Sequence, residues 1–184
     1  LPTRVAIDGR EYEINTDFRT CLKVILAFED PELTEYEKQW VMLNNLYPEI
    51  PEDIKEAVEL AGRFLNGGKY EEEKEEVPLR LYSFSKDANY IFAAFKQTHG
   101  VDLTTEQLHW WKFLALFMDL GSDTTFCNLI NLRKKVKTGT ATKEEKQAAR
   151  ELGDIFEIPE PDLRTPEEKQ KEAEFMKLVK SGAQ

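Results

Sequence analysis

Between Leu108 and Leu120 the chain reads LHWWKFLALFMDL, and no other stretch limits the fold so strongly. Wound at 100° per residue, its apolar side chains cover nearly the whole circumference. His109, Lys112 and Asp119 are left one narrow polar stripe. A helix of that kind has to be surrounded by protein, either at the centre of a core or half sunk into a partner. No stretch of the chain approaches the roughly 18–20 apolar residues of a membrane span. The remaining segments must therefore supply the layers that cover this one.

Most of them read as helices. Thr16 or Asp17 caps a helix carrying Phe18, Leu22, Ile25 and Phe28, closed by Pro31. Thr34 and Glu37 form a capping-box pattern ahead of a stripe of Tyr36, Trp40, Leu43 and Tyr47. Pro51 opens a third helix with Ile54, Val58, Ala61 and Leu65 on one face, ended by Gly67-Gly68. Ser85 is a cap for a helix bearing Ala88, Ile91, Phe92 and Phe95, and Thr104 or Thr105 for the Trp-rich one. Asp123 or Thr124 starts a helix through Phe126, Leu129 and Ile130, and Thr142 a shorter one with Ala148, Ala149 and Leu152. The one strong β signal comes first. Val5 and Ile7 alternate with polar neighbours, Asp8-Gly9 offers the turn, and Tyr12 and Ile14 alternate again, a hairpin that must pack on the helices.

The expected fold is thus mainly α, a compact multi-helix domain with a small N-terminal β-hairpin. Residues 1–68 form the hairpin and first helical half. Residues 69–81 form an acidic linker, whose KYEEEKEE run reads as mobile and outside the core. Residues 82–158 form the second half around the Trp-rich helix, and 159–184 a charged C-terminal helix or tail broken by Pro159 and Pro161. The expected structural core comprises Ile91, Phe92, Phe95, Trp110, Trp111, Phe113, Leu114 and Phe117.

Chemistry is hard to find in the residues. The only histidines, His99 and His109, lack metal-ligand spacing, and no glycine pattern cradles a phosphate. Cys21 and Cys127 sit in apolar helical patterns as free thiols, which points to a reducing cytoplasm. No catalytic residue, metal or cofactor is expected. A formal net charge of −10 disfavours nucleic acid and anionic membrane surfaces. The basic group Arg133, Lys134, Lys135 and Lys137 reads as last-turn cations complementing a helix dipole.

Three stretches, LPTRVAIDGREYEINTDFRTCLKV, YSFSKDANYIFAAFKQTHGVDL and LHWWKFLALFMDLGSDTTFCNLINLR, occur in this order over most of residues 1–135. Together they resemble the gene-product-fifteen family of long-tailed bacteriophages, with tandem Trp110-Trp111 as the distinctive part. Beyond about Thr138 the chain is less typical of it. Such genes lie next to the tape-measure gene. The resemblance implies a non-enzymatic tail assembly chaperone in the host cytoplasm that binds the tape-measure protein, with the tail tube protein as a further candidate partner, and is absent from the mature virion. A tail or connector subunit retained in the virion is the alternative, and a homo-oligomer is open. Residues expected to meet the partner are Val77, Leu79 and Leu81 beyond the acidic run and Phe175, Met176 and Val179 on one side of the last helix.

Overall fold

A computed structural model describes residues 1–69 and 79–158. Its element order is β1 (Arg4–Ile7), β2 (Arg10–Glu13), α1 (Phe18–Glu29), α2 (Glu35–Leu46), α3 (Ile54–Leu65), α4 (Ala88–His99), α5 (Trp110–Met118), α6 (Thr125–Lys137) and α7 (Lys143–Leu152). A 3-10 turn over Gly153–Ile155 follows α7. The expected class stands: seven helices and one antiparallel hairpin make up the described fold. Asp8 and Gly9 take φ of 46° and 75°, the left-handed pair a two-residue hairpin turn requires. This sets Val5 opposite Tyr12 and Ile7 opposite Arg10, and puts Ile7, Tyr12 and Ile14 in the core.

One apolar cluster runs through both halves. Phe18, Cys21 and Val24 of α1, Met42, Leu43 and Leu46 of α2, and Ala57, Ala61 and Phe64 of α3 join Ile91, Phe95, Trp110, Phe113 and Phe126. The Phe113 ring lies at its middle, fully buried. It stacks at 5.0 Å on Phe18, 5.0 Å on Phe95 and 5.5 Å on Trp110, every interplanar angle under about 15°. Of the other expected core residues, Ile91, Phe95 and Trp110 are buried and Phe92 is partly so. Trp111, Leu114 and Phe117 pack half-buried against the cluster.

Several helix starts and faces differ from the reading of the sequence. Helix α5 starts at Trp110, capped by His109 rather than Thr104 or Thr105. The Asp102 side chain accepts from the Thr104 amide, and its carbonyl from the Glu106 amide, so 102–106 closes into a local turn. Helix α5 is therefore short, and Met118 projects into solvent, 83% exposed. Helix α4 starts after Asp87, not Ser85. Phe28, Tyr36, Trp40 and Ile54 are exposed to a third or more. The buried faces run instead through Cys21 and Val24, through Met42 and Leu46, and through Ala57 and Phe64. Tyr36 and Trp40 meet edge to face on the surface at 6.0 Å.

Arg133 gives the largest correction. It is no surface cation but is buried with Asp87. Its two terminal nitrogens hold the carboxylate at 2.7 and 3.0 Å. They also donate to the Leu81 carbonyl at 3.1 Å and the Ile155 carbonyl at 2.7 Å, while Nε donates to that of Phe156 at 2.8 Å. All five guanidinium hydrogens are thereby used. Asp87 gives α4 no side-chain cap; its Oδ2 accepts from the Ser83 amide as well as from Arg133. One buried ion pair thus fixes the loop 81–87, helix α6 and the turn after α7 together.

Candidate binding surface

Helix α3 lies at the centre of the surface features, because the distinctive tryptophans grip its end. The last carbonyls of a helix have no partner inside the helix. Trp110 Nε1 donates to the Leu65 carbonyl and Trp111 Nε1 to the Phe64 carbonyl, each at 2.8 Å. Adjacent side chains on α5 diverge by about 100°, yet the two indoles straddle one helix terminus and satisfy consecutive acceptors. His109 sets the register of this clamp. Its Nδ1 accepts from the Trp111 amide at 3.1 Å, so the ring proton sits on Nε2 and is donated to the Pro2 carbonyl at 2.8 Å. Asp17 and His109 form a bridge that ties the start of α1 to the start of α5.

Gly68 makes this packing possible. Its φ of 85° is left-handed, and a Cβ there would lie 2.7 Å from Cη2 of Trp111. Gly68→Ala is expected to destabilise the protein by about 1–3 kcal/mol, since strained backbone and overpacking act together. A urea midpoint equal to that of the parent would show that the indole moves aside freely.

Two grooves flank α3. On one side Phe28, Gln39 and Met42 face Val58, Glu59, Gly62, Arg63, Asn66 and Lys69 across a cavity of about 400 Å³. On the other, Pro2, Val5 and Ala6 face Leu60, Phe64, Gly68 and Trp111 across about 340 Å³. The first is the roomier of the two, with Gly62 in its lining. Nothing lies within 4 Å of the position a Cβ would take there. A polar hollow of about 600 Å³ lies between α6 and α7, with Lys134, Lys135 and Glu145 on its walls.

Of the residues expected to meet a partner, Leu79 is 52% exposed and Leu81 is partly buried, its carbonyl held by Arg133. Val77, Phe175, Met176 and Val179, and the 70–76 part of the acidic run, lie outside the described residues. Arg133 holds the Leu81 and Ile155 carbonyls together, and Ile155, like Leu79, is an exposed apolar residue. Sequence reasoning missed Ile155 because it lies past the end of α7, in a short turn that no helical period describes.

The potential nucleophiles and ligands are otherwise engaged. Burial, and then the Asp17 carboxylate, push the Cys21 thiol up to about 12. Cys127 packs with Sγ 3.6 Å from the Leu120 carbonyl, and His99 Nε2 lies 2.9 Å from that of Leu116. Among the described residues no group of three or more His, Cys, Asp or Glu could hold a metal ion. No described helix is long and apolar enough to cross a membrane.

Cys21 makes stability pH-dependent in a defined direction. Its folded pKa lies above the unfolded value, so the unfolded chain loses this proton first as pH rises. Stability is complete below about pH 8 and falls between about pH 9 and 12. Tyr47, raised to about 12 chiefly by burial with its hydroxyl donating to the Ala57 carbonyl, acts in the same sense above about pH 10. Cys21→Ala is expected to remove roughly 3 kcal/mol of the alkaline loss at pH 11. Parallel pH–stability curves for parent and variant would refute this.

A family model described as "Bacteriophage Gp15 protein" matches residues 1–158. The chain belongs to that family. Neither curated proteins nor solved structures gave a match to it. The family span takes in the hairpin, all seven helices and the Ile155–Phe156 turn held by Arg133. The chain beyond Thr138 is thus within the pattern as far as Ile158, a wider extent than the three resembling stretches indicated. Residues 159–184 lie beyond the match.

Proposed function

We propose that this bacteriophage protein is a non-enzymatic tail assembly chaperone that binds the tape-measure protein in the host cytoplasm and leaves before the virion matures. The observation that carries the reading is membership of the phage family across the whole described fold. The surface is compatible with it. Apolar side chains such as Leu79, Ile155 and Met118 stand exposed on a chain of net charge −10. Such a chain stays soluble while offering adaptable contacts to an aggregation-prone client.

The client contacts are assigned to Leu79 and Leu81, with Val77 before them, and to the Phe175, Met176 and Val179 stripe. Co-expression with the tape-measure protein of the same phage tests the function. The tape-measure protein should shift from the insoluble to the soluble fraction and co-purify with this chain. Mass spectrometry of purified particles should find no stoichiometric copy of it. A full complement in the particle would establish the retained tail or connector subunit instead. An insoluble client would remove the chaperone role.

A further inference from the structure

The trough between α2 and α3 is linked by a short series of side-chain contacts to the point where the chain leaves the described fold. Arg133 holds the carbonyls of Ile155 and Phe156 on the same guanidinium as that of Leu81. The residue before Leu81, Arg80, reaches the Glu29 carboxylate at 2.6 Å. Glu29 follows Phe28, which forms one wall of the trough. A continuous series of contacts, Phe156–Arg133–Leu81–Arg80–Glu29, thus leads from two residues before Ile158 to the neighbour of Phe28.

The remaining chain has the length and the pattern to enter the trough. Residues 159–166 include three prolines and, if extended, span roughly 26 Å. After them Phe175, Met176 and Val179 recur at helical spacing among Glu172, Glu174, Lys171 and Lys177. This stripe occupies roughly 6 Å of helix, against roughly 12 Å of α3 between Val58 and Asn66. The trough offers Phe28, Met42 and Val58 as apolar walls. Gly62 leaves the α3 backbone open to close approach. Its lining includes Glu59, Arg63 and Lys69, both signs that the segment carries in alternation.

We propose that this trough is the docking site of the chain's own C-terminal segment, Pro166 to Lys180, seated through Phe175, Met176 and Val179. Docked, the segment covers the trough and keeps its own stripe from solvent. Only the corollary, that a client must draw the stripe out of the trough, rests on the chaperone reading.

Disulfide trapping in the full chain tests the docking without a client. Met176→Cys is combined with Gly62→Cys in the trough lining, where a side chain has open space. It is also combined with Lys143→Cys on exposed α7 as the control, and tested alone to measure background with Cys127. At low micromolar protein under mild oxidation, the 62–176 bond should form within one chain at least about tenfold faster than 143–176, because docking raises the local concentration. Gln39→Cys on the α2 wall should show the same preference, which guards against a local effect at position 62. Equal rates for trough and control positions would overturn the proposal. So would a bond linking two chains, which would give the trough to a second copy.

Discussion

Asp87→Ala is expected to lower the unfolding free energy by about 3–5 kcal/mol, among the largest effects available to a single change in this protein. The substitution leaves the Arg133 guanidinium buried with its counter-charge gone. Water cannot replace the carboxylate, because Asp87 and Arg133 are each only 1% exposed. The Ser83 amide loses its acceptor at the same time. For a domain stable by about 5–15 kcal/mol, the variant would sit near the edge of folding. Arg133→Lys should be damaging too, since one ammonium cannot serve five acceptors spread over Leu81, Asp87, Ile155 and Phe156. The discriminating variant is Asp87→Ala with Arg133→Met. Removing both charges should restore part of the loss, with a coupling of at least about 2 kcal/mol in urea melts followed by tryptophan fluorescence. Additive losses would mean that the two side chains do not act as a pair.

The placement of this pair shows where a sequence stops being informative. Arg133 stands in a run with Lys134, Lys135 and Lys137, and composition alone makes it one more last-turn cation. Its phase says otherwise. At 100° per residue it falls within about 20° of Phe126 and 40° of Leu129, the buried face of α6. A charge in phase with a core stripe signals a buried partner, but the partner lies forty-six residues away in a loop that no periodicity describes. Local signals fared better because their physics is local. Asp8-Gly9 needed only its own φ angles, and the Thr34–Glu37 capping box closes within one turn. The start of α5 was not legible. Its cap is an imidazole, and His109 earns that position only through contacts to Pro2 and to the bridge with Asp17.

The binding surface was less legible than the fold for a related reason. Exposure at a helix end depends on how far the neighbouring helix extends, which spacing does not record. Phe28 is in phase with the buried Cys21 and Val24 but overruns the core and becomes a wall of the trough. Tyr36 and Trp40 lie at the edge of the α2 face and pair with one another outside it. The tandem tryptophans were legible as distinctive but not as a clamp. Two side chains pointing apart meet a single target only because that target, the end of α3, lies across the start of α5.

Phe113→Ala is expected to cost about 3–5 kcal/mol through the cavity it leaves. The ring has no exposed surface, and flat neighbours press it on several sides, so the site cannot collapse without tilting Phe18, Phe95 or Trp110. Phe84 and Phe117 complete the surroundings at 6.3 and 6.0 Å. Tilting Trp110 would also pull its indole from the Leu65 carbonyl, which ties the aromatic stack to the end of α3. The loss should therefore lie at the upper end of the range and reach beyond α5. Amide exchange should quicken at Asn66 and Gly67 as well as within α5, because the α3 terminus loses its grip. Phe113→Leu keeps most of the volume and should cost about 1–2 kcal/mol, with the clamp intact. A Phe113→Ala variant that melts like the parent would place this ring outside the core. One that melts early but leaves exchange at Asn66 and Gly67 unchanged would show that the stack and the clamp are independent.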